Sequence, residues 1–135
     1  AGRLALIRKP SYPSEIWRPP GGGVRPDEEF EEGVRREAVE ELGVDIELER
    51  FLVSSEARFT AGERVIDWHT HVFSARTEEE RLDPVDTHEI SGARWGTRSE
   101  LTGPLREAML RTGRALWRYR VALHDASLDQ LEQLG

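Results

Sequence analysis

The spacing of apolar and polar positions changes along the chain, and each spacing predicts a different element. Leu4 to Ile7 is a short apolar run, typical of a buried strand. A repeat of four residues follows and predicts a helix from about 28 to 42 with an apolar stripe, formed by Phe30, Val34, Ala38 and Leu42. We expect Asp27 to cap the start of this helix and Gly43 to end it.

The second half of the chain predicts a hairpin, a short strand and a long helix. Strand-like sequence covers 45–58 and again 64–75, and the residues at 60–63 would form the turn between them. A short strand is expected at 90–95, followed by a helical turn capped by Thr97 or Ser99. A single helix should then run from about 104 to 124, with Pro104 in its first turn. Its apolar side would carry Leu105, Met109, Thr112, Leu116 and Tyr119.

Composition narrows the class of protein. A chain of 135 residues with 37% hydrophobic and 33% charged positions suits a single domain over 1–135 with a core of its own. No apolar run approaches the ~20 residues that cross a bilayer. The absence of cysteine excludes disulfides and thiolate metal sites. A net charge of −7 argues against nonspecific binding to nucleic acid. We therefore expect a cytoplasmic protein without a membrane or stable nucleic-acid partner.

The first predicted helix carries an acidic face. Glu37, Glu40 and Glu41 stand at i, i+3 and i+4, so their carboxylates share one side of the helix. Three like charges repel one another, and a hard divalent cation with oxygen ligands would offset that repulsion. The alternative is a solvated acidic helix face, which is common in acid-rich proteins.

The segment from Gly22 to Val44 resembles the complete Nudix hydrolase signature. Gly22 is followed by five residues, Glu28, seven further residues and then Arg36-Glu37-Ala38-Val39-Glu40-Glu41-Leu42-Gly43-Val44. A weaker likeness extends from about Leu4 to Leu101. The resemblance implies an α/β (α+β) fold, an α/β/α sandwich with a mixed β-sheet between helices. It also implies a divalent metal, Mg²⁺ or alternatively Mn²⁺, and hydrolysis of the pyrophosphate bond in a nucleoside diphosphate linked to another group.

The resemblance also assigns roles to the signature residues. Glu37 and Glu41 would be the metal ligands, together with the backbone carbonyl of Gly22, and Glu40 would be a further ligand or hold a water molecule. Arg36 would orient a signature carboxylate, although an ordinary salt bridge along the helix is the alternative. Nudix domains usually have a strand before the one that Leu4–Ile7 matches. We therefore expect either a longer natural N-terminus or a homodimer that pairs this edge.

Outside the signature, one acidic residue and three arginines are candidates. Many relatives carry a carboxylate before the last sheet strand, where it serves as general base or extra ligand, and Glu89 stands at that place. A surface carboxylate is an equal alternative, and Asp86 and His88 compete for the role. Phosphates of the substrate would be neutralised by arginines, for which the candidates are Arg18, Arg58 and Arg64.

Two functions fit this signature. The first is a single-domain hydrolase acting on a small nucleotide-type substrate. The second is a noncatalytic Nudix-like sensor or regulatory domain, which would bind a nucleotide without cutting it. Such domains usually lose signature glutamates, and this chain keeps all of them. We therefore favour the enzyme.

Overall fold

A computed structural model describes residues 3–21 and 27–134. The strands are β1 (Arg3–Arg8), β2 (Glu47–Ala61), β3 (Arg64–Arg76) and β4 (Gly92–Thr97). The helices are α1 (Phe30–Leu42), α2 (Arg98–Thr102), α3 (Pro104–Arg111) and α4 (Ala115–Leu134). This composition confirms the α+β class that the sequence predicted. Within the described ranges, none of the helices combines the length and apolar character needed to cross a membrane.

The strands form two antiparallel pairs. β1 pairs with β4, and β2 pairs with β3. At Ile7 the other edge of β1 is also occupied, because Ile7 and Arg18 exchange two backbone hydrogen bonds of 2.7 and 3.0 Å. The mixed sheet that was expected is therefore not seen in the described residues, where every pairing is antiparallel. Ile16 and Trp17, which precede Arg18, are not part of a strand, and this segment meets the sheet through the single bridge at Arg18.

Helices cover both faces of the β1–β4 pair. Successive strand residues point to opposite faces, so Leu6 and Ile7 enter different cores. Leu6 packs with residues of the C-terminal helices, including Met109 and Trp117, whereas Ile7 packs with Leu42 at the end of α1. Both strand residues are fully buried. The sheet consequently lies between α1 and the C-terminal helices, which is the layering of an α/β/α sandwich.

The two ends of α1 differ in how well the sequence predicts them. Gly43 ends the helix as expected, with a left-handed φ of 70° and its N–H bonded to the Val39 carbonyl. The expected cap at Asp27 is wrong, because Glu29 occupies the cap position and makes no side-chain cap bond. Glu31 and Glu32 lie in the first turn instead, where carboxylates interact favourably with the positive end of the helix dipole.

The single C-terminal helix that was predicted is two helices. Gly113 has a φ of 69° and separates α3 from α4, which continues to Leu134. The break changes the helical phase. Leu116, expected on the apolar side, is 42% exposed, whereas Trp117 and Val121 are buried. Upstream, Thr97 caps α2 in a reciprocal capping box with Glu100, which confirms one of the two caps proposed.

The β2–β3 hairpin contacts both the start of α1 and the first turns of α4. Near its base, the Phe30 ring packs against Phe73 at 5.1 Å between centroids. Farther along, the Tyr119 hydroxyl lies 2.6 Å from the Thr70 hydroxyl, and its ring meets Phe59 edge-on. The hairpin thereby links two helices that lie on different faces of the β1–β4 pair.

Two glycines with the same backbone conformation offer a matched test of this fold. Gly43 and Gly62 have similar φ values of 70° and 63°. A Cβ added to Gly43 would lie 1.9 Å from the Asp83 carbonyl oxygen, whereas a Cβ added to Gly62 would have no heavy atom within 4 Å. We expect Gly62→Ala to cost about 1 kcal/mol of unfolding free energy from backbone strain. Gly43→Ala should cost about 3 kcal/mol or more, because backbone must also move. Urea unfolding of both variants measures this, and equal losses would contradict the clash.

Candidate active site

Two carboxyl groups of α1 meet at the edge of the core. Glu41 is 6% exposed, and its Oε1 accepts a hydrogen bond of 3.0 Å from the Gly21 N–H. Burial raises the pKa of the Glu41 carboxyl to about 7, with the Gly21 bond and Arg18 acting the other way and hydrogen-bond contact with Glu37 adding to the rise. Two carboxyl groups in such contact need a proton or a cation between them. A divalent ion would meet that need.

One guanidinium organises the remaining signature carboxylates. Arg36 binds Glu28 through two hydrogen bonds, Nε to Oε2 at 3.1 Å and Nη2 to Oε1 at 2.7 Å. Its Nη1 lies 3.1 Å from Glu40 Oε2 and 3.3 Å from Glu37 Oε1. The hydrogen bonds to Glu28 are the main reason that the Arg36 pKa is raised. Arg36 therefore makes both the salt bridge to Glu40 and a contact with Glu37, and its orienting role stays a prediction.

The donor set fits a metal that keeps part of its water shell. Among residues 3–21 and 27–134, no three His, Asp or Glu side chains are grouped so that they would hold an ion by themselves. Gly22, the expected carbonyl ligand, lies outside the described residues. Glu37 and Glu41 supply two neighbouring carboxylates. Magnesium is usually bound by one or two carboxylates plus water, so this pair suits it.

The loop before β4 folds against the end of α1. The Asp83 N–H donates to the Leu42 carbonyl at 2.8 Å, and the N–H groups of Val85 and Asp86 donate to the Glu40 carbonyl at 3.0 and 2.9 Å. These bonds use carbonyl groups that the last turn of a helix leaves free. The loop therefore reaches the signature helix, as a role for Glu89 requires.

The Glu89 side chain itself is exposed and lies beside Lys9. It is 68% exposed, and its nearest charged partner is the Lys9 ammonium at 3.9 Å. Its N–H donates to the Asp86 side chain at 3.1 Å. No hydrogen bond or ion pair joins Glu89 to a signature carboxylate in the described part of the chain. Its role as general base stays a prediction.

The three candidate arginines have different surroundings. Arg18 is 3% exposed, and it donates from Nε to the Tyr12 hydroxyl and from Nη1 to the Pro19 carbonyl. Arg58 forms an exposed ion pair of 2.8 Å with Asp67 across the hairpin, and Arg64 is exposed at the start of β3. For the residues that the structure describes, neither hairpin arginine bonds to the signature helix. Of the three, Arg18 is the one beside Glu41.

Two ionisable residues near this region did not stand out in the sequence. Arg120 and His124 are partly buried on α4. Burial and the charge of Arg18 lower the pKa of Arg120 to about 10, and burial and the charge of Arg120 lower the pKa of His124 to about 4. Their i, i+4 spacing is an ordinary helical pattern. Their burial depends on the helix phase set at Gly113, so no local signal reveals it.

Comparison with known proteins identifies the class. The family model described as NUDIX domain matches residues 1–116, so the chain belongs to the Nudix hydrolase family. The mitochondrial NAD(P)H pyrophosphatase NUDT13 of Homo sapiens is 29% identical over 104 residues, which are 77% of this chain and 28% of that protein. The chain thus spans less than a third of the length of that curated relative.

Solved structures show the same fold. The solution structure of the E. coli ORF135 protein is similar with a TM-score of 0.61, at 22% identity over 95% of this chain and 81% of that chain. The crystal structure of a MutT NUDIX hydrolase from Burkholderia pseudomallei is similar with a TM-score of 0.58, at 28% identity over 71% of this chain and 74% of that chain. The first likeness supports the fold alone.

His124 should make folding stability sensitive to mild acid. Its folded pKa of about 4 lies below the ordinary value of 6.5, so the unfolded chain binds more protons between these values. The folding stability that depends on neutral His124 is therefore complete above pH 6.5 and is lost as the pH falls toward 4. The loss in unfolding free energy is at most about 3 kcal/mol. His124→Gln should remove it.

The measurement is urea unfolding at pH 7.0 and 4.5 for the wild type and the variant. Glu41 acts in the opposite direction, because its pKa is raised, so the difference between the two proteins is the informative quantity. His69→Gln, at an exposed hairpin position, is the control. An unchanged pH dependence in His124→Gln would contradict the assignment.

Proposed function

We propose that this chain is a divalent-metal-dependent hydrolase that cleaves the pyrophosphate bond of a nucleoside diphosphate linked to another group. The observation that carries the proposal is the contact on α1 between buried Glu41 and half-buried Glu37, in a chain of the Nudix family. The name of the human relative, a pyrophosphatase acting on NAD(P)H, supports the pyrophosphate linkage. We propose further that residues 1–135 act as one domain. The cytoplasmic location and the homodimer stay predictions.

Some signature residues would bind the metal, and others keep those ligands in position. Glu37 and Glu41 would bind Mg²⁺, with Mn²⁺ as a substitute, and Glu40 and the Gly22 carbonyl would complete the set. When bound, the ion polarises a phosphate oxygen and lowers the pKa of a water molecule. The Gly21 N–H keeps Glu41 in place, and Arg36 keeps Glu37 and Glu40 in place. Preorganised ligands reduce the rearrangement that binding and reaction require.

The attacking water also needs a group that takes its proton. Glu89 is our first candidate, since its loop is bonded to the end of α1. For Glu89 to act, its side chain would have to leave Lys9 and turn toward the carboxylate pair, and catalytic contacts often tighten only when substrate is bound. Glu40 is the second candidate, because Arg36 already holds it beside Glu37.

A noncatalytic nucleotide sensor is the rival function. It would need the substrate site but no metal-binding carboxylates. A buried carboxyl group in contact with a second, half-buried one is costly without a catalytic or metal-binding use, because burial removes water from the charge of Glu41. The presence of Glu37 and Glu41 in that arrangement therefore favours the hydrolase.

Glu41→Gln tests the metal-dependent chemistry directly. The amide keeps an oxygen that accepts the Gly21 N–H, but it lacks the charge that binds a cation. We expect turnover to fall about 100-fold or more, which corresponds to about 3 kcal/mol of transition-state stabilisation. The assay is release of monophosphate from a panel of nucleoside diphosphate derivatives with magnesium, repeated in excess chelator, where the wild type should be inactive. Glu31→Gln, in the first turn of α1, is the control. A near-normal rate for Glu41→Gln would refute the assignment.

Glu89→Gln distinguishes a general base from a metal ligand. As a base, Glu89 should affect turnover at saturating magnesium while the magnesium titration stays unchanged, because Glu37 and Glu41 still hold the ion. As a ligand, it should also weaken magnesium binding. Lys9→Gln removes the 3.9 Å partner without touching the carboxylate and serves as the matched control. If turnover and titration are both unaffected by Glu89→Gln, the base is sought at Glu40.

A further inference from the structure

One face of α4 extends the candidate site beyond the signature helix. Trp117, Arg120, Val121 and His124 stand at i, i+3, i+4 and i+7 and so share a face. Trp117 and Val121 anchor this face in the core that also contains Leu6. Because the anchors are buried, Arg120 is held at the border of the core and not on the free side of the helix.

A chain of contacts connects this face to Glu41. The Trp117 ring meets the Tyr12 ring edge-on, with 4.9 Å between centroids. The Tyr12 hydroxyl accepts a hydrogen bond of 2.5 Å from Arg18 Nε. Arg18 in turn lies beside Gly21, where a Cβ would be 3.8 Å from its Nη1, and the Gly21 N–H binds Glu41. A ring contact and a hydrogen bond thus join Trp117 to Arg18, a hydrogen bond joins Gly21 to Glu41, and Arg18 lies close to Gly21, so Arg18 and the α4 face line the same region.

Among the described residues, no carboxylate lies within ion-pair distance of the two arginines in this region. Among the part-buried arginines, Arg106 and Arg36 have carboxylate partners in Asp125 and Glu28, whereas Arg8 donates to two backbone carbonyls. Arg18 gives its hydrogen bonds to a hydroxyl and a carbonyl oxygen, which are neutral. Neither Arg18 nor Arg120 forms an ion pair with any residue of 3–21 or 27–134. Burial, and after it the charge of Arg18, lower the pKa of Arg120, as expected for a partly buried cation that lies near another cation.

Two partly desolvated cations without a carboxylate partner destabilise the folded protein. Glu41 attracts both of them, but under the proposed function its charge is committed to the metal. An anion from outside would relieve the repulsion. The planar guanidinium group has the geometry to donate two parallel hydrogen bonds to phosphate oxygens.

We propose that Arg18 and Arg120 form a phosphate-binding subsite next to the Glu37–Glu41 pair. It takes the phosphate of the pyrophosphate bridge that the metal does not hold, and so places α4 in the substrate site. The proposal rests on the proposed function for its orientation relative to the metal. Binding of phosphate to the two arginines does not require the metal.

Inorganic pyrophosphate in excess chelator is the probe, measured by isothermal titration calorimetry at low ionic strength. The wild type should bind it, and Arg120→Met should weaken binding at least tenfold. The pyrophosphate affinity of Arg120→Lys should lie between those of the wild type and Arg120→Met, because lysine keeps the charge but lacks the planar guanidinium group that donates two parallel hydrogen bonds. Arg118→Met is the control, since Arg118 is exposed about 200° around the helix from Arg120 and bonds to the Gly113 carbonyl.

Thermal unfolding separates a binding residue from a structural one. Without pyrophosphate, Arg120→Met should be as stable as the wild type or more so, because it removes an unpaired cation. Added pyrophosphate should raise the melting temperature of the wild type more than that of the variant. If the wild type binds pyrophosphate but hydrolyses no substrate of the panel, the result counts against the proposed hydrolase and not against the phosphate subsite. The subsite would be overturned by undiminished binding in Arg120→Met, by equal loss in Arg118→Met, or by no binding to the wild type.

Discussion

The position of Ile7 is the constraint on which both halves of the candidate site depend. Its side chain is fully buried against Leu42 and Val44, which fixes the end of α1 relative to the sheet. Its backbone exchanges two hydrogen bonds with Arg18, which fixes the loop that leads to Gly21. A strand residue has this capacity because its backbone groups lie in the sheet while its side chain points out of it. One residue thus sets the separation between the Glu41 carboxylate and the Arg18 guanidinium.

The sequence predicted those features whose causes are local. The apolar repeat predicted α1, and the glycine after it predicted the left-handed residue that ends this helix at Gly43. The capping pattern predicted Thr97 as the N-cap of α2. The signature spacing likewise placed Glu37 and Glu41 on one side of the helix, and these carboxyl groups do meet. In each case the determining interactions join residues within about one helical turn.

Features that depend on distant parts of the chain were beyond such reasoning. An isolated glycine in a helical pattern is tolerated more often than it breaks the helix, so the effect of Gly113 on the phase of α4 was missed. The burial of Arg120 follows from that phase and from Tyr12, more than a hundred positions earlier. The surroundings of Arg18 and Arg58 are equally nonlocal: one is buried beside neutral oxygens, and the other is paired with Asp67 in solvent. Residue type alone does not distinguish them.

The β2–β3 hairpin has a consequence for how the molecule behaves in concentrated solution. Within the described residues its strands pair only with each other, so each presents backbone groups along an outer edge. Ile66 and Trp68 are 44% and 45% exposed on the same ribbon. Such edges attract strands of other molecules, and charged side chains oppose this. Here the charges include cross-strand ion pairs such as Arg76–Glu47, whose field is screened by salt. Ionic strength should therefore govern the colloidal behaviour of this fold through its hairpin, independently of the chemistry at α1.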